Sequence, residues 1–271
     1  MPAVAPEPNY FGRQLLRLLK ELREKNRMTQ EEAGERVHIE FKKLSRIERR
    51  QLPTYHELVM LLDIYGVLSC DYGPYIEMWE KAKTKAWWRR LGIADTRYIR
   101  MEDEADTKIE FQLGLIPTLL QTEQYARHTL TDHSTSMAKK LVEVRMRQQE
   151  RLTTQPSLTL HALIHEPVLH QAIDREQLDK LIQMAELPTV TIRVVPQDRI
   201  HLGLHGGLVL LTFDDPHEPD SAFSETLLGL QETQASEHTG KIRSTLEDIA
   251  RHSKTPGDSL QQLHTLRNIY L

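Results

Sequence analysis

The sequence is poor in cysteine, aromatic side chains and long apolar runs, and these shortages exclude several classes of protein. Its single cysteine, Cys70, excludes an internal disulfide and any metal site built from several cysteines. We expect Cys70 to be a small, buried apolar side chain. The longest apolar runs, such as Leu58–Leu62 and Leu208–Leu211, are far shorter than the roughly 20 residues of a membrane span. Residues 1–9 contain three prolines and lack the apolar segment of a signal peptide, so we expect a disordered arm and a cytoplasmic protein.

A net positive charge is also missing, because 35 Lys and Arg residues stand against 39 Asp and Glu residues, but the basic residues are concentrated in one stretch. The net charge of -4 would argue against a nucleic-acid partner if it were spread evenly. Between Tyr10 and Leu52, however, 12 Lys and Arg residues stand against 7 Asp and Glu residues, whereas the remaining sequence is strongly acidic. A basic module joined to an acidic one is typical of a DNA reader with a regulatory domain.

The basic stretch belongs to a predicted all-α domain over residues 10–70. An apolar stripe begins at Phe11 and indicates a first helix. Thr29 and Glu32 have the spacing of a capping box and begin a second helix. A third helix is predicted over Phe41–Arg49, and a fourth begins after Pro53 and ends near Gly66. Residues 71–90 remain helical in pattern and are interpreted as a linker.

The remaining residues, 91–271, predict an α+β domain with a mixed sheet. Helices are expected at Thr96–Glu110, Gln121–Leu130, Ser136–Thr153, Asp174–Glu186, Gly240–His252 and Pro256–Tyr270. Strands are expected at Leu158–Ile164, Thr189–Val195, Gly207–Phe213 and Ala222–Leu228. The order strand, helix, strand predicts that the first two strands are parallel.

The segments Met28–Val37 and Leu44–Arg49 resemble the phage-repressor-like helix-turn-helix family, the XRE family. The resemblance covers about Phe11–Gly66 and implies a DNA-binding transcriptional regulator whose third helix lies in the major groove. Gly34 is the small residue that lets the two short helices approach. The resemblance places base-reading residues at Phe41, Lys42 and Arg46, and residues that contact phosphate or position the helix at Gln30, Lys43, Arg49 and Arg50.

Three positions depart from that family. Glu40 stands where the third helix usually begins with Ser or Thr, and His38 and Arg50 stand where glycine is common. A carboxylate can cap a helix and favours its positive end, but Glu40 would face DNA phosphates. We expect Gln30 to bind a phosphate or to brace the third helix, and Glu48 to pair with Arg13 or Arg17.

The acidic domain carries a second resemblance, to the uncharacterised domain of WhiJ-like actinobacterial regulators. The motifs that carry it are Glu104-Ala105, Leu115–Ala126, Arg147-Gln148, Leu187–Ile192 and Val195-Pro196. The resemblance implies regulation of antibiotic production or development, often beside a small partner protein encoded nearby, in pairs described as antitoxin-like.

Catalytic and cofactor motifs are missing from the sequence. His161, His165, Glu166 and His170 lack the spacing of a zinc protease helix, and the glycines around Gly203 lack the spacing of a dinucleotide site. We therefore expect a protein that is not an enzyme and that has no metal or other cofactor.

Three functional hypotheses follow for the acidic domain. The preferred one is that it forms a homodimer and binds a small protein partner. The second is that it senses a small-molecule effector in a pocket. The third is a passive dimerisation scaffold. For the whole protein, a runner-up from a different class is an antitoxin-like interaction adaptor whose helix-turn-helix binds DNA weakly or has lost DNA binding. All of these hypotheses except the adaptor predict double-stranded DNA as the main partner.

Overall fold

The computed structural model describes residues 8–93, 97–171, 173–198, 200–226 and 229–269. The chain divides into two compact units, of which unit 1 ends at Ala86 and unit 2 begins at Trp87. Each unit is described by itself. Some predicted boundaries, at Thr96, Leu228 and Tyr270, lie outside the described residues, as does most of the predicted arm.

Unit 1 is a helical bundle in the residues that the structure describes. Its helices are α1 (Tyr10–Lys25), α2 (Gln30–Arg36), α3 (Phe41–Ile47), α4 (Tyr55–Ile64) and α5 (Gly73–Lys83). Their apolar stripes meet in one core, whose largest fully buried side chains are Leu15, Leu19, Leu44, Ile47, Leu58, Leu61 and Leu62. The predicted α2, α3 and α4 are confirmed, with α3 ending two residues early.

Helix caps explain where these helices begin. The Thr29 side chain accepts from the Glu32 amide and the Glu32 carboxylate accepts from the Thr29 amide, so the predicted capping box is confirmed. Thr54 and Glu57 form a second box at the start of α4. Asn9 caps α1 through its side chain, so the end of the predicted arm is ordered.

Cys70 contradicts its prediction because it is exposed. It lies on the short 3₁₀ helix Ser69–Asp71 between α4 and α5. Connecting segments run over the protein surface, and a small side chain there has no core to enter.

Unit 2 is built on a six-stranded mixed sheet with the order β3-β2-β1-β4-β5-β6. The strands are β1 (Thr107–Gln112), β2 (Thr159–His165), β3 (Val190–Val195), β4 (Leu208–Thr212), β5 (Ser221–Thr226) and β6 (Gly229–Thr233). β1, β2 and β3 pair in parallel, which confirms the predicted crossover between β2 and β3. The pairs from β1 through β4 and β5 to β6 are antiparallel.

Helices cover both faces of this sheet. They are α6 (Arg97–Glu104), α7 (Glu123–His128), α8 (Thr135–Gln148), α9 (Arg175–Ala185), α10 (Ser236–His252) and α11 (Pro256–Ile269). On one face Phe111 and Leu210 pack against Leu246 and Ile249 of α10. On the other face the larger apolar core includes residues of α6, α9 and α11. The fold is therefore an all-α domain followed by an α+β domain, as predicted.

Two strands were mispredicted in unit 2. The helix expected over Thr96–Glu110 ends at Glu104, and the chain continues as β1, the central strand of the sheet. β6 was not predicted at all, because its residues are mostly exposed and lack an apolar face. Within the described residues, none of the helices has the length and hydropathy that crossing a membrane requires.

Candidate nucleic-acid interface

The turn between α2 and α3 depends on a backbone contact at Gly34. A Cβ atom on this residue would lie 2.6 Å from the carbonyl oxygen of Ile39, which is closer than real Cβ contacts allow. The Ile39 amide also donates to the Gly34 carbonyl oxygen at 2.8 Å. Glycine is therefore required where α2 meets the backbone of the turn, and this contact sets the angle between the two helices.

We expect Gly34→Ala to destabilise unit 1. Relieving the close contact costs about 1–3 kcal/mol, which exceeds the roughly 1 kcal/mol that alanine contributes over glycine within a helix. Gly240→Ala in α10 is the matched control, because Gly240 is also inside a helix and nothing lies within 4 Å of a Cβ there. Hydrogen–deuterium exchange of the peptides that contain each substitution measures both effects. Equal protection in the two variants would contradict the proposed role of Gly34.

The outward face of α3 carries the three side chains predicted to read bases. Phe41, Lys42 and Arg46 are all exposed, while Leu44 and Ile47 on the opposite face are fully buried. Phe41 has 49% of its surface exposed, which is unusual for a phenylalanine. Arg49 and Arg50 follow immediately and are also exposed.

This face is cationic, and in the described part of unit 1 no neighbouring carboxylate pairs with its charges. Within residues 8–93, the side chains of Lys42, Arg46, Arg49 and Arg50 make no ion pair. Exposed cations without a protein partner can bind phosphate groups or base edges with little rearrangement. The arrangement suits a polyanion that lies along α3.

The other two residues predicted to position DNA, Gln30 and Lys43, bind within unit 1. The Gln30 amide donates to Glu48 Oε2 at 2.6 Å, a contact that suits the bracing role of the two predicted for it, while its phosphate contact stays a prediction. Lys43 is half-buried and forms an ion pair with Glu57, and its bond to Glu57 helps to lower the pKa of that carboxyl against the effect of burial. A phosphate contact by Lys43 would compete with Glu57, and that assignment stays a prediction.

Glu48 is held by a different arginine from those predicted. Arg23 Nε donates to Glu48 Oε1 at 2.6 Å and Arg23 Nη2 donates to Glu48 Oε2 at 3.0 Å, whereas the prediction named Arg13 or Arg17. The bond to Glu48 raises the pKa of Arg23. Arg23 lies on the buried stripe of α1, four residues after Leu19, and points at the end of α3. This periodicity was the signal in the sequence that could have identified it.

The Arg23–Glu48 pair joins three elements of the helix-turn-helix. Arg23 Nη1 also donates to the carbonyl oxygen of Met28 at 2.7 Å, just before α2 begins. With Gln30 bound to the same carboxylate, one buried cluster fixes α1, the start of α2 and the end of α3. The orientation of the exposed face of α3 therefore depends on a charge that the solvent hardly reaches.

Two of the three departures from the helix-turn-helix pattern, at Glu40 and His38, have clear structural outcomes. Glu40 occupies the N-cap position of α3 but its side chain makes no capping hydrogen bond, so the expected cap is wrong. His38 has a φ of +54°, the left-handed conformation that glycine adopts most readily. The backbone thus keeps the shape typical of a glycine position even though the residue is histidine.

The histidines of unit 2 do not form a metal centre in the described residues. His165 and His201 lie with ring centroids 6.1 Å apart beside Phe111, and burial lowers the pKa of both imidazoles. Across the part of the chain that the structure describes, no three His, Cys, Asp or Glu residues are grouped as metal ligands.

A capped α2, a glycine turn and an exposed cationic α3 define unit 1 as a helix-turn-helix module of the kind found in DNA-binding regulators. In agreement, residues 14–71 match a family described as a helix-turn-helix domain. Residues 95–265 match the family described as a domain of unknown function (DUF5753), and the chain belongs to this family. Neither the curated proteins nor the solved structures contain a match to the chain.

Proposed function

We propose that this protein is a homodimeric transcriptional regulator of the XRE type, which reads a specific DNA site with α3 and carries out no catalysis. The observation that carries the proposal is the uncompensated cationic face of α3, which stands over a helix-turn-helix core. Arg46 reads a guanine, because a guanidinium can donate to O6 and N7 together. Lys42 and Phe41 add a second polar contact and an apolar contact with a thymine methyl group.

The neighbouring residues position α3 on the DNA backbone. Arg49 and Arg50 are exposed at the end of α3 and bind phosphates, and Lys43 joins them when it exchanges Glu57 for phosphate. Gln30 acts through Glu48, because its amide is bound to that carboxylate. A single helix-turn-helix covers little DNA, so two copies on adjacent half-sites supply the affinity of a regulator.

Unit 2 controls this activity by binding a second molecule. A small protein partner, as in antitoxin-like pairs, is one form of that control. A small-molecule effector is the other, and a cavity in unit 2 that opens to solvent supports it over the protein partner. In either form unit 2 is a binding domain.

Salt dependence tests the DNA-binding proposal. Three cationic phosphate contacts in each half-site make six in a dimer, and we expect the logarithm of affinity to fall against the logarithm of salt with a slope of about -5. Fluorescence anisotropy with a random-sequence duplex, titrated at several salt concentrations, measures the slope. A slope of about -3 would indicate a monomer. An affinity that does not change with salt would contradict the proposal.

An interaction adaptor is the second candidate, and the start of α3 favours it. The Glu40 carboxylate stands there without making a capping hydrogen bond, and Phe41 exposes an apolar ring. This combination suits a protein surface as well as a DNA groove. An adaptor would show no salt-sensitive binding in the same titration, so one experiment separates the two candidates.

A further inference from the structure

A cavity of about 510 Å³ lies within unit 2 between the sheet and two helices. Its floor is one face of the sheet, where Glu110, Val209, Phe223 and Glu232 stand side by side on β1, β4, β5 and β6. α6 and α8 form its walls. The volume falls within the range of pockets that bind small organic molecules.

An unusual cluster of buried charges adjoins this cavity, and Glu102 and Glu110 of the cluster belong to its lining. Lys108 is fully buried on the central strand, and its Nζ lies 2.6 Å from Glu102 Oε1 and 3.0 Å from Glu110 Oε2. Gln148 donates to the other oxygen of Glu102 at 2.6 Å. Burying charges in the middle of a sheet is costly, and an apolar trio would fill the same space at lower free energy. A buried charge cluster of this kind beside a cleft is a candidate for a functional site.

One atom of the cluster has an unmet hydrogen-bonding capacity. Glu110 Oε1 is buried and no donor in the described residues meets hydrogen-bond geometry with it, although Glu110 lines the cavity. The Gln112 side chain, two residues further along β1, is near enough to the Glu110 carboxyl to lower its pKa, but it carries no charge to balance the carboxylate. Lys108 serves two carboxylates, so it cannot neutralise both of them. Burial consequently raises the pKa of Glu110, because its ionised form is incompletely compensated.

The rest of the lining combines apolar surface with an excess of negative charge. Tyr98 and Phe223 contact edge to face with centroids 5.0 Å apart, and Val144 and Leu230 add aliphatic surface. Four carboxylates line the cavity, those of Glu102, Glu110, Glu225 and Glu232, against the two guanidiniums of Arg97 and Arg145. Arg97 pairs with Glu232 at 2.6 Å, and the Lys108 ammonium serves Glu102 and Glu110, so the excess is one negative charge. Arg145 donates to neutral oxygens of Gln121 and Thr129, which hold its guanidinium on the α8 side.

From this geometry we infer that the cavity is a binding site for a small organic cation, an amine attached to an apolar body. The ammonium group donates to Glu110 Oε1 and supplies the charge that Lys108 cannot provide. The apolar body lies against Tyr98 and Phe223, where it displaces water from an aromatic surface. The site explains why a carboxylate is buried on the central strand with one oxygen unpaired.

A matched set of probes tests the inference with the full-length protein. 4-Phenylbutylamine, 4-phenylbutanol and 4-phenylbutyrate share one apolar body and differ in their polar group. We expect isothermal titration calorimetry to show that the amine binds at least about tenfold more tightly than the alcohol, and the alcohol more tightly than the acid. Equal binding of all three, tightest binding of the acid through Arg145, or no binding at millimolar concentration would each overturn the inference.

Substitutions in the lining provide a second test. Glu110→Gln keeps the shape of the side chain and leaves Lys108 paired one to one with Glu102, so we expect it to fold and to bind the amine about tenfold more weakly. Glu143→Gln is the matched control, because Glu143 is exposed on α8 and lies outside the cavity. The exposed Glu225→Gln gives an independent measure, with an expected loss of amine affinity of about twofold. Amine affinity that is unchanged in both Glu110→Gln and Glu225→Gln would refute the site.

The role of this cavity as an effector site rests on the proposed function. Amine binding itself does not. The calorimetry is performed without DNA, and the DNA titration is performed without amine. Failure of one therefore leaves the other interpretable. Where both succeed, a change in duplex affinity when the amine is added identifies the cavity as the effector site.

Discussion

Arg46→Ala is expected to remove the preference of the protein for its operator while leaving the fold and most nonspecific DNA binding intact. Arg46 is exposed on α3, makes no ion pair in the described part of unit 1, and contributes no buried apolar surface to the core. A guanidinium bound to guanine contributes about 1–3 kcal/mol of discrimination. We therefore expect at least a tenfold loss of affinity for an operator selected in vitro from random duplexes, measured by gel-shift titration.

Arg49→Ala is the matched control for this substitution. Arg49 lies three residues further along the chain and is equally exposed, but its proposed contact is a phosphate. A phosphate contact positions the protein without reading sequence, so Arg49→Ala should weaken binding to operator and random duplex by the same factor. Operator affinity that is unchanged in Arg46→Ala would exclude Arg46 as a base reader.

Glu48→Gln is expected to destabilise unit 1 by about 3 kcal/mol, because it leaves a buried arginine without its carboxylate. The substitution removes the charge that binds Arg23 through two hydrogen bonds and that accepts from Gln30. Because this cluster holds both ends of the helix-turn-helix, the loss should extend to DNA binding. Urea unfolding followed by hydrogen–deuterium exchange of the α1–α4 peptides measures the change in the free energy of unfolding.

Glu24→Gln removes the same charge from an exposed partner of Arg23, so its comparison with Glu48→Gln isolates the effect of burying the carboxylate. Glu24 also contacts Arg23, at 3.4 Å, but 54% of its side chain is exposed. An ion pair in contact with water contributes little, so the expected loss is at most about 0.5 kcal/mol. Similar losses in the two variants would show that the buried cluster is not what stabilises α3.

Most of unit 1 could be predicted because its signals are local. Thr29 and Glu32, three residues apart in the sequence, indicate where α2 begins. Gly34 lies next to the turn that its missing side chain permits. The exposure of Phe41, Lys42 and Arg46 follows from helical periodicity once Leu44 and Ile47 are assigned to the core. The partner of Glu48 was mispredicted because three arginines on α1 were available, and only the packing of α1 decides which one is buried.

The cavity in unit 2 could not be predicted because its central strand was interpreted as helix. In β1 the polar residues Lys108, Glu110 and Gln112 alternate with Ile109 and Phe111, which is a strand pattern. Alternation of this kind usually indicates that the polar face meets solvent, whereas here Lys108 and Glu110 are buried. Their burial depends on α6 and α8, and periodicity within a strand carries no information about those distant elements.

The central position of β1 in the sheet also affects how a partly synthesised chain can fold. Its two neighbours in the sheet, β2 and β4, come from distant parts of the sequence, and β4 is the later of the two. Until Leu208–Thr212 has been translated, the backbone groups along one side of β1 lack partners, and such edges recruit other chains. We therefore expect a chain that is truncated upstream of β4 to aggregate instead of forming unit 2.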